Sequence, residues 1–476
     1  MQAKNYRPVS HLVEIGLLVE RAVSFQVVNH FTINNLFHNN HHGGIANHST
    51  ATALIQIHNL FLEASENKRL SAVLLLDQSA AYDLLDHKIL IDKLFRYNFD
   101  HDSVSWFQSY LEKRSQPVQV GAQESPIIAL GDHAGPQGSL LGGLLFLIHE
   151  NDFPACRSEG DSVMFVDDDS DVVSDPEPVP LLEKLQHEAN LSCDWLKDNR
   201  MVVAGDKSKM LIVGTKEMRR IKLGETVQSI VVDGEVVNES ISEKLLGVII
   251  NNRMTWHEHL HGETWRTEGN STGLISQLSQ RLGMLRKLSW HSSRKRLKLL
   301  ASGLFYSKLS YCLPLYVSTW GLDRYRDIAT RTNTFTKEDN RKLQVIQNHL
   351  CRMLLNTQSN YYRQNQSTKE LLDQCGELSI HQMGAQQTLV MIQKILCTGK
   401  PDYLSKRLKV RESRVQGVST LLAPVDASLG VTRSSFIYRG VKLYNQLPEK
   451  IRKLRKLSLF KAQLKTWIQE NIDVKP

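Results

Sequence analysis

The sequence predicts an α+β core followed by an all-helical region, and three observations carry that expectation. Short apolar runs at Ala72–Leu76, Ser162–Val166 and Met210–Val213 alternate with helical spacings through the first half. From position 270 onward the pattern is helical and basic to the end. No period of 20–50 residues repeats, which excludes solenoids and propellers. With 476 residues, 41% of them hydrophobic and 23% charged, the chain is globular rather than disordered. Its length suits about two to four domains.

The elements follow in order. An Asn/His-rich loop, 34–47, leads to Ser49 or Thr50, either of which can cap a helix. Ala53, Leu54, Ile57, Leu60 and Phe61 then recur at helical spacing. Ala72–Leu76 reads as a buried strand ending at Asp77, with a helix-like stretch through Leu94. A second apolar segment runs from Gly138 to Ile148. A third, Ser162–Val166, ends in Asp167, Asp168 and Asp169. The loop Asp175–Pro180 opens a helix over Leu181–Leu196, and strand signals follow at Met210–Val213, Gln228–Val232 and Leu245–Ile250.

Several function classes fall away. No apolar run approaches the ~20 residues needed to cross a bilayer. The first residues carry no apolar core, so no secretory signal is expected. Six cysteines without a C-x-x-C pair exclude zinc ribbons and a disulfide scaffold. The expectation is an intracellular protein of nucleus or cytoplasm, with no membrane association. Net charge is +8, and its placement is uneven. Residues 150–183 hold 11 acidic residues and one basic residue; 281–320 hold 8 basic and no acidic residues; 401–476 hold 16 basic against 6 acidic residues. An acidic centre followed by basic segments suits metal chemistry beside a polyanion-binding surface, or simply solvated faces.

Two apolar strands end in carboxylates, at Asp77 and at Asp167–Asp168. If the strands are neighbours, three carboxylates converge, and hard oxygen ligands favour Mg²⁺. A pair of Mg²⁺ ions about 3.5–4 Å apart activates an attacking hydroxyl and stabilises a leaving pyrophosphate. An EF-hand reading of Asp167, Asp169 and Asp171 fails, because Val172 and Pro178 stand where Gly and Glu belong. His257–His261 satisfies H-E-x-x-H, but its flanks offer no apolar face to bury such a helix. Between the acidic strands, the glycine-rich stretch His133–Gly143 lets backbone approach a ligand, with Gln137 as a hydrogen-bonding group.

The ordered set of motifs resembles the reverse transcriptases of non-LTR (LINE-type) retrotransposons. Asn5–Ser10 and His48–Leu54 look like the opening finger motifs. Leu76–Asp83 with Asp86-His87 is similar to the first catalytic motif, Gly135–Gly142 with Asn151-Asp152 to the template-and-nucleotide motif, and Phe165–Asp168 to the aromatic-Ala-Asp-Asp box. Trp195-Leu196, Asn199 and Lys207 fall where the next palm motif lies. Leu246–Val248 with Thr255-Trp256 and His259 resembles the primer-grip region, and Tyr438–Pro448 with Ser458–Lys461 the C-terminal tail of such open reading frames.

The resemblance implies a right-hand polymerase fold: fingers at 1–72, an antiparallel palm sheet with finger insertions at 73–265, a helical thumb at 266–320 and a basic helical C-terminal extension at 321–476. It implies that Asp77, Asp167 and Asp168 hold two Mg²⁺, helped by the carbonyl of Gln78. Tyr82 would exclude a 2′-hydroxyl, Gln137 and Gly138 would line the nucleotide pocket, and Lys207 would protonate pyrophosphate. Leu246 and Gly247 would form the primer grip. Arg294, Lys295, Arg296, Lys298, Arg452, Lys453, Arg455 and Lys456 are the expected nucleic-acid contacts. The implied partners are an RNA template, a DNA primer and deoxynucleoside triphosphates. Five departures stand out: Ile45 where the family has an Arg, Val166 for Ala, Gly143 for Pro, Ala204 for Asn and Lys209 for Glu. Beginning at the finger motif, the sequence implies a copy without the family's N-terminal endonuclease. Either the chain extends primers on RNA, or it is a catalytically inactive nucleic-acid-binding remnant.

Overall fold

The computed structural model describes residues 10–474 except 80, 113, 130, 134, 136–137, 225, 264–271, 318–334, 357–365 and 412–420. Most of the finger motif at Asn5–Ser10, and Gln137, lie outside the described residues. The principal elements are α1 (Glu14–Ile33), α2 (Thr50–Glu66), β1 (Leu70–Leu76), β2 (Gln78–Ser79), α3 (His87–Arg96), α4 (His101–Leu111), α5 (Leu140–His149), β3 (Asp161–Phe165), β4 (Asp168–Asp175), α6 (Pro178–Asp198), β5 (Val202–Val203) and β6 (Lys209–Val213). They continue with β7 (Ser242–Leu245), β8 (Val248–Asn251), α7 (His257–His261), α8 (Leu274–Ser289), α9 (Arg294–Ala301), α10 (Lys337–Leu355), α11 (Thr368–Cys375), α12 (Ile380–Thr398), α13 (Phe436–Gln446) and α14 (Leu457–Asn471). Among the described residues strands end by residue 251 and helices take over. This is the right-hand polymerase class.

The chain divides into two compact units. The first comprises Met1–Ser49, Ser71–Met210 and Glu225–Glu239; the second comprises Thr50–Leu70, Leu211–Gly224 and Ser240–Pro476. The central sheet has the order β6–β1–β4–β3. β3 and β4 are antiparallel, with Phe165 opposite Asp168 across a two-residue turn of Val166 and Asp167. β1 is buried almost throughout, as its unbroken apolar run requires.

In the first unit, Val27 and Phe31 of α1, Leu90 and Leu94 of α3, Phe107 of α4, and Leu141, Leu145 and Ile148 of α5 form one apolar core. α5 is apolar on nearly every side and buried accordingly. Ser139 caps it by accepting from Gly142 N at 2.8 Å. The buried Glu20 carboxylate accepts from Leu140 N at 2.9 Å and from the Tyr110 hydroxyl at 2.7 Å, a favourable anion at a helix start.

Three expectations need correction. The helical stretch after Asp77 is interrupted: β2 and a 3₁₀ turn at Ala81–Asp83 come first, and α3 starts where Asp86 accepts from Ile89 N at 2.9 Å. The strand expected at Leu245–Ile250 is a hairpin, β7 and β8, turning on Leu246 (φ 46°) and Gly247 (φ 80°). Two successive positive φ values make the tight turn that matches strand twist. The H-E-x-x-H segment does form a short helix, with His259 and Leu260 buried.

In the second unit, α14 buries Phe460, Leu464 and Ile468 on one face and packs on α12. α12 also receives α13, where Gly440 leaves no room for a methyl against Ile392. Among the described residues no helix is long and apolar enough to cross a membrane.

Candidate active site

β1 lies beside β4 in the sheet, so Asp77, which follows β1, comes level with Asp167 and Asp168 at the β3–β4 turn. Desolvation, then the charges of Asp167 and Asp77, push the Asp168 carboxyl up to about 6. Three negative charges at a sheet edge are therefore close enough to oppose ionisation. Among the described residues, no group of three or more His, Cys, Asp or Glu side chains is arranged to hold a metal ion. As donors the carboxylates suit a hard divalent cation.

Asp77 is fixed through its backbone. Its N–H donates to Ser208 Oγ at 3.4 Å, and its carbonyl accepts from Ala204 N at 2.9 Å. Next to it, β2 pairs with β5, Gln78 opposite Val203. The Gln78 side chain turns inward, where Nε2 donates to the fully buried Glu150 at 3.2 Å. Lys207 Nζ stands 3.9 Å from the Asp77 carboxylate, both groups being well exposed.

Tyr82 stacks on Phe146 of α5, ring centroids 4.6 Å apart and planes 22° from parallel. Burial and the Asp167 charge both raise its pKa, which puts the ring beside the carboxylates. The Tyr82 carbonyl accepts from Gly135 N at 3.2 Å, tying the glycine-rich stretch to the same corner. Gly138 adopts φ 105°, a conformation that side chains disfavour.

The turn itself is strained. Val166 has φ 63°, unusual for any residue with a side chain and costly for a β-branched one. Such strain is about 1–3 kcal/mol and persists only where surroundings enforce it. Residues 40–43 do the enforcing: Met164 N donates to Asn40 O at 3.0 Å, and His42 N donates to Met164 O at 2.8 Å. A Cβ on Gly43 would lie 2.6 Å from both Val166 N and Val166 Cγ2. The loop backbone thus presses directly on the acidic turn.

A family profile described as reverse transcriptase (RNA-dependent DNA polymerase) matches residues 2–250. The chain belongs to the reverse transcriptase family. A curated relative, the RNA-directed DNA polymerase from mobile element jockey of Drosophila melanogaster, is 24% identical over 318 residues, 64% of this chain and 33% of the relative. The probable RNA-directed DNA polymerase from transposon BS of the same fly is 25% identical over 369 residues, 75% of this chain and 37% of the relative. The matches therefore cover roughly a third of the length of these relatives. Among solved structures, apo telomerase from Candida tropicalis superposes with TM-score 0.38 at 12% identity, covering 82% of this chain and 60% of that one.

The structure adds residues to this candidate site that sequence reasoning missed. Gly43 and Ser208 are two of them, and Arg157 is a third. Arg157 donates from Nε to Asp171 at 2.5 Å and from Nη2 to Asp169 at 2.8 Å, inside the sheet. Burial opposes its charge, but Asp171 and Asp169 raise its pKa and hold it protonated. The acidic run thus splits in two: Asp167 and Asp168 face outward, while Asp169 and Asp171 are buried and paired. A lone Arg among 11 acidic residues was the available signal. Ile45 packs against the apolar core of the first unit.

In the second unit, the Leu246 carbonyl accepts from the Tyr311 hydroxyl at 2.6 Å, and the Tyr311 ring lies over Gly247. Lys298 Nζ donates to Cys375 O at 3.5 Å and Lys465 Nζ to Gly376 O at 3.0 Å. Basic stretches 281–320 and 401–476 therefore meet around residues 375–376. Arg294, Lys295, Arg296, Arg455 and Lys456 are exposed. Lys453 pairs with Glu449 at 2.7 Å. Arg452 is half-buried, its Nε and Nη1 enclosed without hydrogen-bond partners.

Proposed function

We propose that the chain is an RNA-directed DNA polymerase that joins deoxynucleotides to a primer 3′-hydroxyl on an RNA template. The observation that carries this reading is the meeting of Asp77, Asp167 and Asp168 beside the Tyr82 ring in a member of the reverse transcriptase family. Asp77, Asp167 and Asp168, with the Gln78 carbonyl, would hold two Mg²⁺, which when bound supply Lewis-acid activation of the hydroxyl and neutralise charge at the departing pyrophosphate.

The chain's own residues supply the rest. Lys207 places a cation beside Asp77, where negative charge develops, and donates a proton to pyrophosphate. Tyr82, braced by Phe146, forms a wall under the sugar; Gly138 lines the nucleotide pocket, and Gln137, outside the described residues, is the expected hydrogen-bonding group there. Leu246 and Gly247 present a hairpin turn to the primer. The exposed cations of α9 and of the segment before α14 bind phosphates. In this reading 1–72 serve as fingers, 73–265 as palm, 266–320 as thumb and 321–476 as extension, and the protein works inside the cell on nucleic acid.

Extension of a DNA primer annealed to polyadenylate, with thymidine triphosphate and Mg²⁺, tests the proposal. Product that requires the RNA template supports it; its absence at all Mg²⁺ concentrations overturns it. Tyr82→Ala deletes a wall and no catalytic group. It should let ribonucleotides compete with deoxynucleotides, seen as a ribonucleotide discrimination ratio falling by on the order of 10-fold or more, which is ~1.4 kcal/mol. An unaltered ratio would place the sugar elsewhere.

A further inference from the structure

Trp290 has the greatest exposure of any large apolar side chain among the described residues, 83%, at the C-terminal end of α8. Met284 and Leu288, one helical turn apart on α8, are also exposed. Cations surround this apolar corner: Arg286 and Lys287 in the last turn of α8, and Arg294, Lys295 and Arg296 in the first turn of α9. Three cations at a helix start oppose the helix dipole, and no acidic residue in that turn offsets them. From 281 to 320 the sequence contains no acidic residue. Burial raises the pKa of Glu377, and the charges of Lys465 and Lys298 oppose that rise.

We propose that Trp290 is a stacking platform for an unpaired nucleic-acid base, set in a cationic corner that holds the flanking phosphates. The inference deepens the proposed function and rests on its assignment of the α9 cations to phosphates. Charge complementarity selects the occupant. Cations with no acidic neighbours in sequence call for a polyanion, and an exposed indole calls for a free aromatic face. A single strand brings both together. A duplex brings phosphates but keeps its base faces covered except at its ends.

The test uses the full chain, with a single-stranded oligo(dT), a single-stranded oligo(U) and a blunt duplex of equal length. Single strands should quench indole emission, and oligo(dT) and oligo(U) arms show whether the sugar matters. Trp290→Ala should weaken single-strand binding on the order of 5- to 150-fold. It should leave duplex affinity and the slope of log affinity against log salt unchanged, since no phosphate contact is lost. Trp290→Phe should keep most of the affinity while losing the quench. Wild-type affinity and quench in Trp290→Ala would overturn the proposal. So would equal losses on strand and duplex, or an indole response to anionic lipid vesicles but none to oligonucleotides. At 83% exposure the substitution leaves the fold intact.

Discussion

Asp168→Asn should abolish primer extension, a loss on the order of 10³-fold or more, while the metal-free protein at pH 7 melts higher than wild type. Both outcomes follow from one geometry. Desolvation and the charges of Asp167 and Asp77 raise the Asp168 carboxyl to about 6 in the folded protein. The unfolded value is about 3.9. A group whose folded pKa is raised contributes stability that is fully present below the unfolded pKa. That contribution is lost as pH rises through the folded pKa. Wild type therefore loses stability relative to Asp168→Asn between about pH 4 and pH 7, and the two melting curves converge at pH 4. The same substitution removes a charge that the proposed Mg²⁺ would neutralise, and metal-based stabilisation of a transition state amounts to several kcal/mol. Parallel melting curves at all pH values would mean that the three carboxylates do not feel one another.

Gly43→Ala is the second large effect. The added methyl would sit 2.6 Å from Val166 N, and a backbone atom cannot swing aside as a side-chain tip can. Val166 connects β3 to β4, so any displacement moves Asp167 and Asp168. A misplacement near 1 Å costs ~10²-fold in rate, and that is the expected fall in kcat. Gly283→Ala, where a methyl meets nothing within 4 Å, serves as the control and should be silent. Adding Val166→Ala to Gly43→Ala removes the Cγ2 clash and should restore part of the rate. Wild-type kcat in Gly43→Ala would show that the loop 40–43 does not set the acidic turn.

Much of the site was legible because its elements announce themselves locally. An unbroken apolar run ending in Asp reads as a buried strand presenting a carboxylate, and Asp77 and Asp167–Asp168 lie where those runs predict. What escaped depends on residues distant in sequence. Nothing near Gly43 signals that its backbone meets Val166, and Ser208 is 131 residues from the Asp77 amide it accepts from. The hairpin at Leu246–Gly247 escaped because Leu at positive φ is a poor turn signal, held here by the Tyr311 hydroxyl on its carbonyl.

The central claim is that Asp77, Asp167 and Asp168 drive template-directed synthesis rather than surviving in a chain that merely binds nucleic acid. One measurement addresses it: primer extension by the full chain on an RNA template with Mg²⁺, beside Asp77→Asn, with RNA affinity recorded for both. The account predicts template-dependent product from the wild type, none from the variant, and equal RNA affinity. Equal RNA affinity with no product from the wild type at any Mg²⁺ concentration would contradict it.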